Sequence, residues 1–189
     1  MKSGKTPDPY PVFCCAAYGV RLLIVAIMRT LFLILLLLTA TSSRATPLPF
    51  ADLVVVDKSD KKLYLYKQQK LIAVFPVVFG ANPVGHKQQE GDERTPEGGY
   101  ILDFKKANSG YYRSIHISYP NIQDVANAKR LGVHPGGFVM IHGQKNGFGW
   151  ASFLTQRFNW TNGCVALTNN DMEAVWQAVT VGTPIEIRP

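Results

Sequence analysis

Apolar residues recur along this chain mostly with a period of two. Leu53-Val54-Val55-Val56 is a short buried run. Lys62-Leu63-Tyr64-Leu65-Tyr66 alternates, and Gln68-Gln69 reads as a turn before a third strand from Leu71 to Phe79. Tyr100 to Phe104 and Ser114 to Ser118 follow as strands. In the second of these, Ser114, His116 and Ser118 share one face, while Ile115 and Ile117 share the other. Phe138-Val139-Met140-Ile141 is another apolar strand, and it delivers His142-Gly143. Cys164-Val165-Ala166-Leu167 is again extended, and Pro184 to Ile187 gives a last strand.

Two segments switch to the helical period. Asp124 to Arg130 has helical composition and stops at Gly132, a plausible C′ glycine. Thr168-x-x-Asp171 caps a second helix running to about Val179, with Met172, Val175, Trp176 and Val179 at core spacing. Ala81 to Gly99 is a long polar loop rich in proline and glycine, and a loop of that length is usually functional or disordered. Asn146 to Gly149 is turn-like. The pattern predicts a mainly β domain, α+β at the margin, with one or two short helices and no second domain.

Composition adds a targeting segment. Met28-Arg29, the apolar run Leu31 to Leu38 and the small residues Ser43 and Ala45 read as a secretory signal over 28–45, within an N-terminal extension spanning 1–45. An uncleaved anchor over Val20 to Ala40 is the weaker alternative, because Arg29 would sit mid-span. After cleavage no stable membrane span remains, and the folded domain is 46–189. Residues 1–45 hold +4 of the net +7, through Lys2, Lys5, Arg21, Arg29 and Arg44 against Asp8. The remaining +3, without a Lys/Arg run, argues against nucleic acid and suits an anionic polymer such as a cell wall.

That leaves Cys164 as the sole cysteine after the signal. Exported chains pair their cysteines or avoid them. A lone thiol is a candidate reactive group, and a small buried hydrophobe is the alternative. A nucleophilic thiol needs a base. Of His86, His116, His134 and His142, the last ends an apolar strand and precedes a glycine. It can therefore project from a sheet rim beside Cys164, although a satisfied core imidazole remains open. Gly163 permits a tight bend, which would aim N–H groups from Asn162 to Cys164 at an oxyanion. No metal-binding spacing or phosphate loop is present, so no metal and no cofactor is expected.

Ile141-His142-Gly143 followed by Gly163-Cys164 resembles the catalytic signature of the YkuD-type L,D-transpeptidases. Gly91-Asp92-x-Arg94-Thr95-Pro96-Glu97-Gly98-x-Tyr100 resembles a loop of the same family. The resemblance runs from about Leu53 to Arg188. It implies a β-sandwich-like barrel of mixed sheets, with Cys164 as nucleophile, His142 as base and acid, and the Gly143 carbonyl holding the His142 tautomer. It implies peptidoglycan stem peptides as partners, a periplasmic or cell-envelope location, D-Ala release through a thioester, and a 3→3 cross-link. Acylation of Cys164 by carbapenems is also implied. A cysteine hydrolase on the same scaffold is the alternative, and a non-catalytic wall-binding module a remoter one. This chain departs from the family pattern at Asn162, in place of a histidine, and at Ala166, in place of a polar or cationic residue. His116, Tyr119, Arg94, Arg157, Trp160 and Thr161 are candidates for substrate binding.

Overall fold

The computed structural model describes residues 47–189, together with Val25 and residues 27–30, which are helical. The chain divides into two units, Met1–Thr46 and Pro47–Pro189. Most of the expected signal segment lies outside the described residues. Among those described, no helix is long and apolar enough to cross a membrane.

The alternating segments do form strands: β1 (Leu53–Asp57), β2 (Lys62–Lys67), β3 (Lys70–Pro76), β4 (Gly98–Lys106), β5 (Ser114–Ile117), β6 (Met140–His142), β7 (Val165–Ala166) and β8 (Thr183–Arg188). Gln68 and Gln69 both take positive φ, 48° and 63°, as a two-residue hairpin turn requires. The strands make a single mixed sheet in the order β3-β2-β1-β8-β4-β5-β6-β7. β1 with β8 and β6 with β7 are parallel; the other pairs are antiparallel. The fold is thus mainly β as expected, a mixed sheet of eight strands curled on itself with a few short helices.

The curl is closed by a seam. Beyond β3 the chain runs to the opposite end of the strand order and pairs with β7. Val78 N donates to Ala166 O at 3.0 Å, and Ala166 N returns a bond to Val78 O at 2.8 Å. Thr161 N donates to Phe79 O at 3.1 Å, and Ala81 N to Thr161 O at 3.0 Å.

Helix α1 (Ile122–Leu131) begins with a capping box between Asn121 and Asp124, and ends at Gly132 in the left-handed region. A 3₁₀ turn (Gly149–Ala151) runs into α2 (Ser152–Thr155), which the sequence pattern does not predict. Helix α3 (Asn169–Ala178) starts where Thr168 accepts from Asp171 N. It buries Met172, Val175 and Ala178 in one core with Leu63, Leu65, Leu102, Ile115 and Ile141 of the sheet. Trp176 is only partly buried and packs at the margin of that core.

Candidate active site

Register places the site. Side chains directly opposite on neighbouring strands share a face. Ile115, Ile141 and Val165 lie opposite one another across β5, β6 and β7 and are fully buried in the core. The alternate positions therefore face the other way. One row across the sheet is Lys106, Ser114, His142 and Ala166. The next is Phe104, His116 and Met140, and Cys164 falls level with Met140 because Val165 pairs with Ile141. His142 ends β6 while Cys164 precedes β7. The two strands run parallel, so the pair meets diagonally, at opposite strand ends.

Both residues line one cavity of about 430 Å³, with Tyr111, Trp160, Asn162, Phe138 and Lys106 among its walls. Cys164 Sγ accepts from Met140 N at 3.4 Å and lies 3.8 Å from Phe138 O, to which its S–H can donate. His142 is 3% exposed. Its Nδ1 is 2.6 Å from Gly143 O. A carbonyl can only accept, so Nδ1 carries the proton and Nε2 keeps a basic lone pair. Tyr111 covers the imidazole, with ring centroids 4.4 Å apart, and Trp160 meets it edge-on at 5.9 Å. Gly143 has no room for a side chain: a Cβ there would lie 2.7 Å from Tyr112 O and 2.8 Å from Asn169 Oδ1.

Burial sets the charge state of the pair. It pushes the Cys164 thiol up, against the opposing pull of the Met140 N–H and the Lys87 charge. It pushes the His142 imidazole down, with the Gly143 bond opposing. At neutral pH the resting site is a thiol beside a neutral imidazole.

The turn that carries Cys164 is braced from within and from behind. Thr161 Oγ1 donates to Cys164 O at 2.7 Å and accepts from Gly163 N at 3.2 Å. The Gly163 N–H is therefore engaged inside the turn, leaving those of Asn162 and Cys164 as its remaining donors. Gly163 takes φ +115°, and a Cβ on it would fall 2.5 Å from Arg94 O. The long polar loop supplies that backing and is held by Asp92. Asp92 accepts from Lys87 Nζ at 2.8 Å and from the N–H groups of Gln88, Gln89 and Arg94. Its burial pushes its pKa up, but these donors hold it below the usual carboxylate range.

Several expected substrate contacts are placed elsewhere. Tyr119 is buried, with its OH donating to Pro135 O at 3.0 Å and its ring against Tyr100 and His86. Arg94 does not line the cavity; it contributes its backbone carbonyl behind Gly163. His116 is paired with Asp103 at 2.6 Å and stacked on Phe104, so it supports the wall without lining the cavity. Arg157 is likewise outside the lining. Trp160, Thr161 and Asn162 do line it, with the Thr161 hydroxyl already spent on the turn. Ala166 is fully buried, and its backbone forms the seam.

Tyr111 and Lys106 are cavity residues that the sequence pattern does not reveal. Strict alternation from Tyr100 and Leu102 would send Phe104 and Lys106 into the core. A bulge between Leu102 and Phe104 reverses the faces, so Lys105 turns inward and Lys106 faces the cavity. Among the described residues no cluster of His, Cys, Asp or Glu could hold a metal ion.

This fold and site define a class. The L,D-transpeptidase catalytic domain family, YkuD, matches residues 51–187, and the chain belongs to it. Among relatives, YafK of Escherichia coli strain K12 is 29% identical over 133 residues, covering 67% of this chain and 46% of that protein. YqjB of Bacillus subtilis strain 168 is 26% identical over 145 residues, covering 75% and 73%. Both bear L,D-transpeptidase names. Of solved structures, the helical cell shape determining protein Pgp2 of Campylobacter jejuni, as its K307A mutant, is similar at 29% identity and a TM-score of 0.55. That match covers 75% of this chain and 49% of Pgp2. The chain thus spans about half the length of YafK and of Pgp2.

Proposed function

We propose that this protein is a cell-envelope L,D-transpeptidase acting on peptidoglycan stem peptides, exported by the signal over 28–45. One observation carries the reading: Cys164 and His142 open into the same cavity from one sheet face, with His142 Nδ1 tied to Gly143 O. Family membership and the similarity to a cell-shape protein support it.

In this reaction Cys164 Sγ attacks the carbonyl carbon of the third residue of a tetrapeptide stem while its proton passes to His142 Nε2. The tetrahedral oxyanion is met by the N–H groups of Cys164 and Asn162. Collapse breaks the C–N bond, His142 Nε2 returns its proton to the leaving amine, and D-Ala departs. The thioester is then attacked by the side-chain amine of a second stem. His142 takes that amine's proton and delivers it to Sγ, which regenerates the thiol and leaves a 3→3 cross-link. Because the resting pair is neutral, proton transfer accompanies attack. Gly143 orients the base, Thr161 and the loop around Asp92 fix the turn, and Tyr111 and Trp160 wall the imidazole from water.

The test is incubation of the full chain with disaccharide-tetrapeptide and mass spectrometry of the products. Cross-linked dimer with D-Ala release is expected, and both vanish in Cys164→Ala. Tripeptide without dimer would assign hydrolysis instead, with water as acceptor. Turnover retained in Cys164→Ala would overturn the mechanism.

A further inference from the structure

Large apolar side chains ordinarily turn inward. The segment between His142 and Cys164 does the reverse. Through the 3₁₀ turn and α2, the small residues face the protein: Ala151 is buried, and Thr155 Oγ1 donates to Oε1 of the buried Gln144 at 2.6 Å. The large residues face out. Trp150 is 74% exposed and Phe153 67%, and Phe148, Leu154 and Phe158 are also exposed. Trp150, Phe153 and Leu154 stand three and four residues apart, so they share one helical face. Single apolar residues on a surface are ordinary, whereas a run that points outward from inward-facing small neighbours marks a contact surface.

Charge selects the occupant. Lys145 and Arg157 flank the run, both exposed, and neither joins an ion pair among the described residues. No Asp or Glu occurs in the chain between Asp124 and Asp171. In a symmetric contact between two copies this face would meet itself, and both cations would face only like charge. A glycan needs hydrogen-bonding groups set among the rings, but the five apolar side chains offer one, the Trp150 indole N–H. An anionic bilayer surface fits both parts. Trp, Phe and Leu side chains settle at the boundary between headgroups and acyl chains, and Lys and Arg beside them meet the lipid phosphates.

We infer that this face docks the protein on an anionic lipid bilayer, with Trp150, Phe153 and Leu154 entering the boundary and Lys145 and Arg157 held at the headgroups. The docking face is tied to the cavity at both ends. Gln144, which anchors Thr155, directly follows Gly143, and Trp160 at the other end lines the cavity. Docking therefore holds the cavity beside the membrane surface. The inference goes beyond the proposed reaction and does not need it.

The test follows Trp150 itself. The full chain is mixed with vesicles of phosphatidylcholine and phosphatidylglycerol whose acyl chains are brominated, and the Trp150 emission is taken as the difference between wild type and Trp150→Ala. Because the readout is contact of Trp150 with acyl chains, association of residues 1–45 with the same vesicles does not produce it. Bromolipid should quench and blue-shift Trp150. The docked-to-undocked ratio should fall about fivefold for each of Lys145→Gln and Arg157→Gln, and docking should be lost when phosphatidylglycerol is omitted. Phe153→Ser with Leu154→Ser should also abolish quenching, while Phe153→Trp keeps it. Without lipid, all these variants should melt at the wild-type Tm. A lowered Tm would show the side chains packed within the protein and overturn the inference. Quenching that ignores lipid charge and the patch variants, or no quenching, would overturn it too. So would a Trp150 shift without lipid that grows with protein concentration, which assigns the face to a second copy, or a shift produced by soluble peptidoglycan glycan fragments, which assigns it to sugar. Cys164→Ala should dock like wild type, so failure of the transpeptidase reading and failure of docking are read separately.

Discussion

Alkylation of Cys164 by iodoacetamide across pH reads the resting state of the thiol. Only the thiolate reacts at an appreciable rate. Burial holds Cys164 above the ordinary thiol and His142 below 6.5. A thiol at or above the ordinary pKa of about 8.5 is no more than roughly 3% thiolate at pH 7. A preformed thiolate–imidazolium pair would be almost wholly ionised there and would alkylate about thirtyfold faster by that ratio. The rate should therefore climb close to tenfold per pH unit from pH 6 to 8, with no plateau. Mass spectrometry of the peptide carrying Cys164 separates it from Cys14 and Cys15. A plateau reached below pH 7 would show a resident thiolate, and the concerted proton transfer drawn for the acylation step would be wrong. D-Ala release should show the matching acid limb. It falls as His142 protonates below pH 6.5, and is flat above it through neutrality.

Three further outcomes test the supporting structure. Thr161→Val leaves the Cys164 carbonyl and the Gly163 N–H without their partner in a buried turn. Urea denaturation should show a loss of about 2–4 kcal/mol, with Thr161→Ser keeping most of the stability. Gly80→Ala places a Cβ 1.9 Å from Glu93 O and 2.9 Å from Gly163 N. It should lose about 2 kcal/mol or more and slow alkylation or turnover as the turn shifts, and unchanged behaviour in both assays would contradict the packing. His142 binds its proton less readily folded than unfolded. Stability at this position is therefore present above pH 6.5 and lost as pH falls through it. Tm of the wild type should drop more than that of His142→Gln between pH 7.5 and 5, and parallel curves would refute the burial effect.

Much of the fold was legible because the chain alternates wherever one sheet face is buried. β1, β2, β5 and both long helices follow from local periods and caps. α2 was not legible: Phe148, Trp150 and Phe153 are exposed, so that segment shows no inward-facing stripe. That Cys164 and His142 line one cavity could be anticipated because each residue stands beside a glycine at one end of an apolar run. Tyr119 and His116 misled for a different reason. The Tyr119 hydroxyl is taken by Pro135 and His116 Nδ1 by Asp103, contacts set by the tertiary fold. Lys106 was hidden by a single bulge, which local alternation reads the wrong way round.

The seam between Val78 and Ala166 also decides how a peptide can be received. Many peptide-binding proteins lend an open strand edge, on which the guest adds another strand and is recognised through its main chain. Here the edge beside Cys164 is already occupied by the protein's own chain. A guest must come down onto the sheet face and be read by side chains. That mode makes no demand for the uniform L-configuration or the regular α-linkage that a strand ladder requires. It leaves room for chains of mixed chirality, branched through side-chain amides.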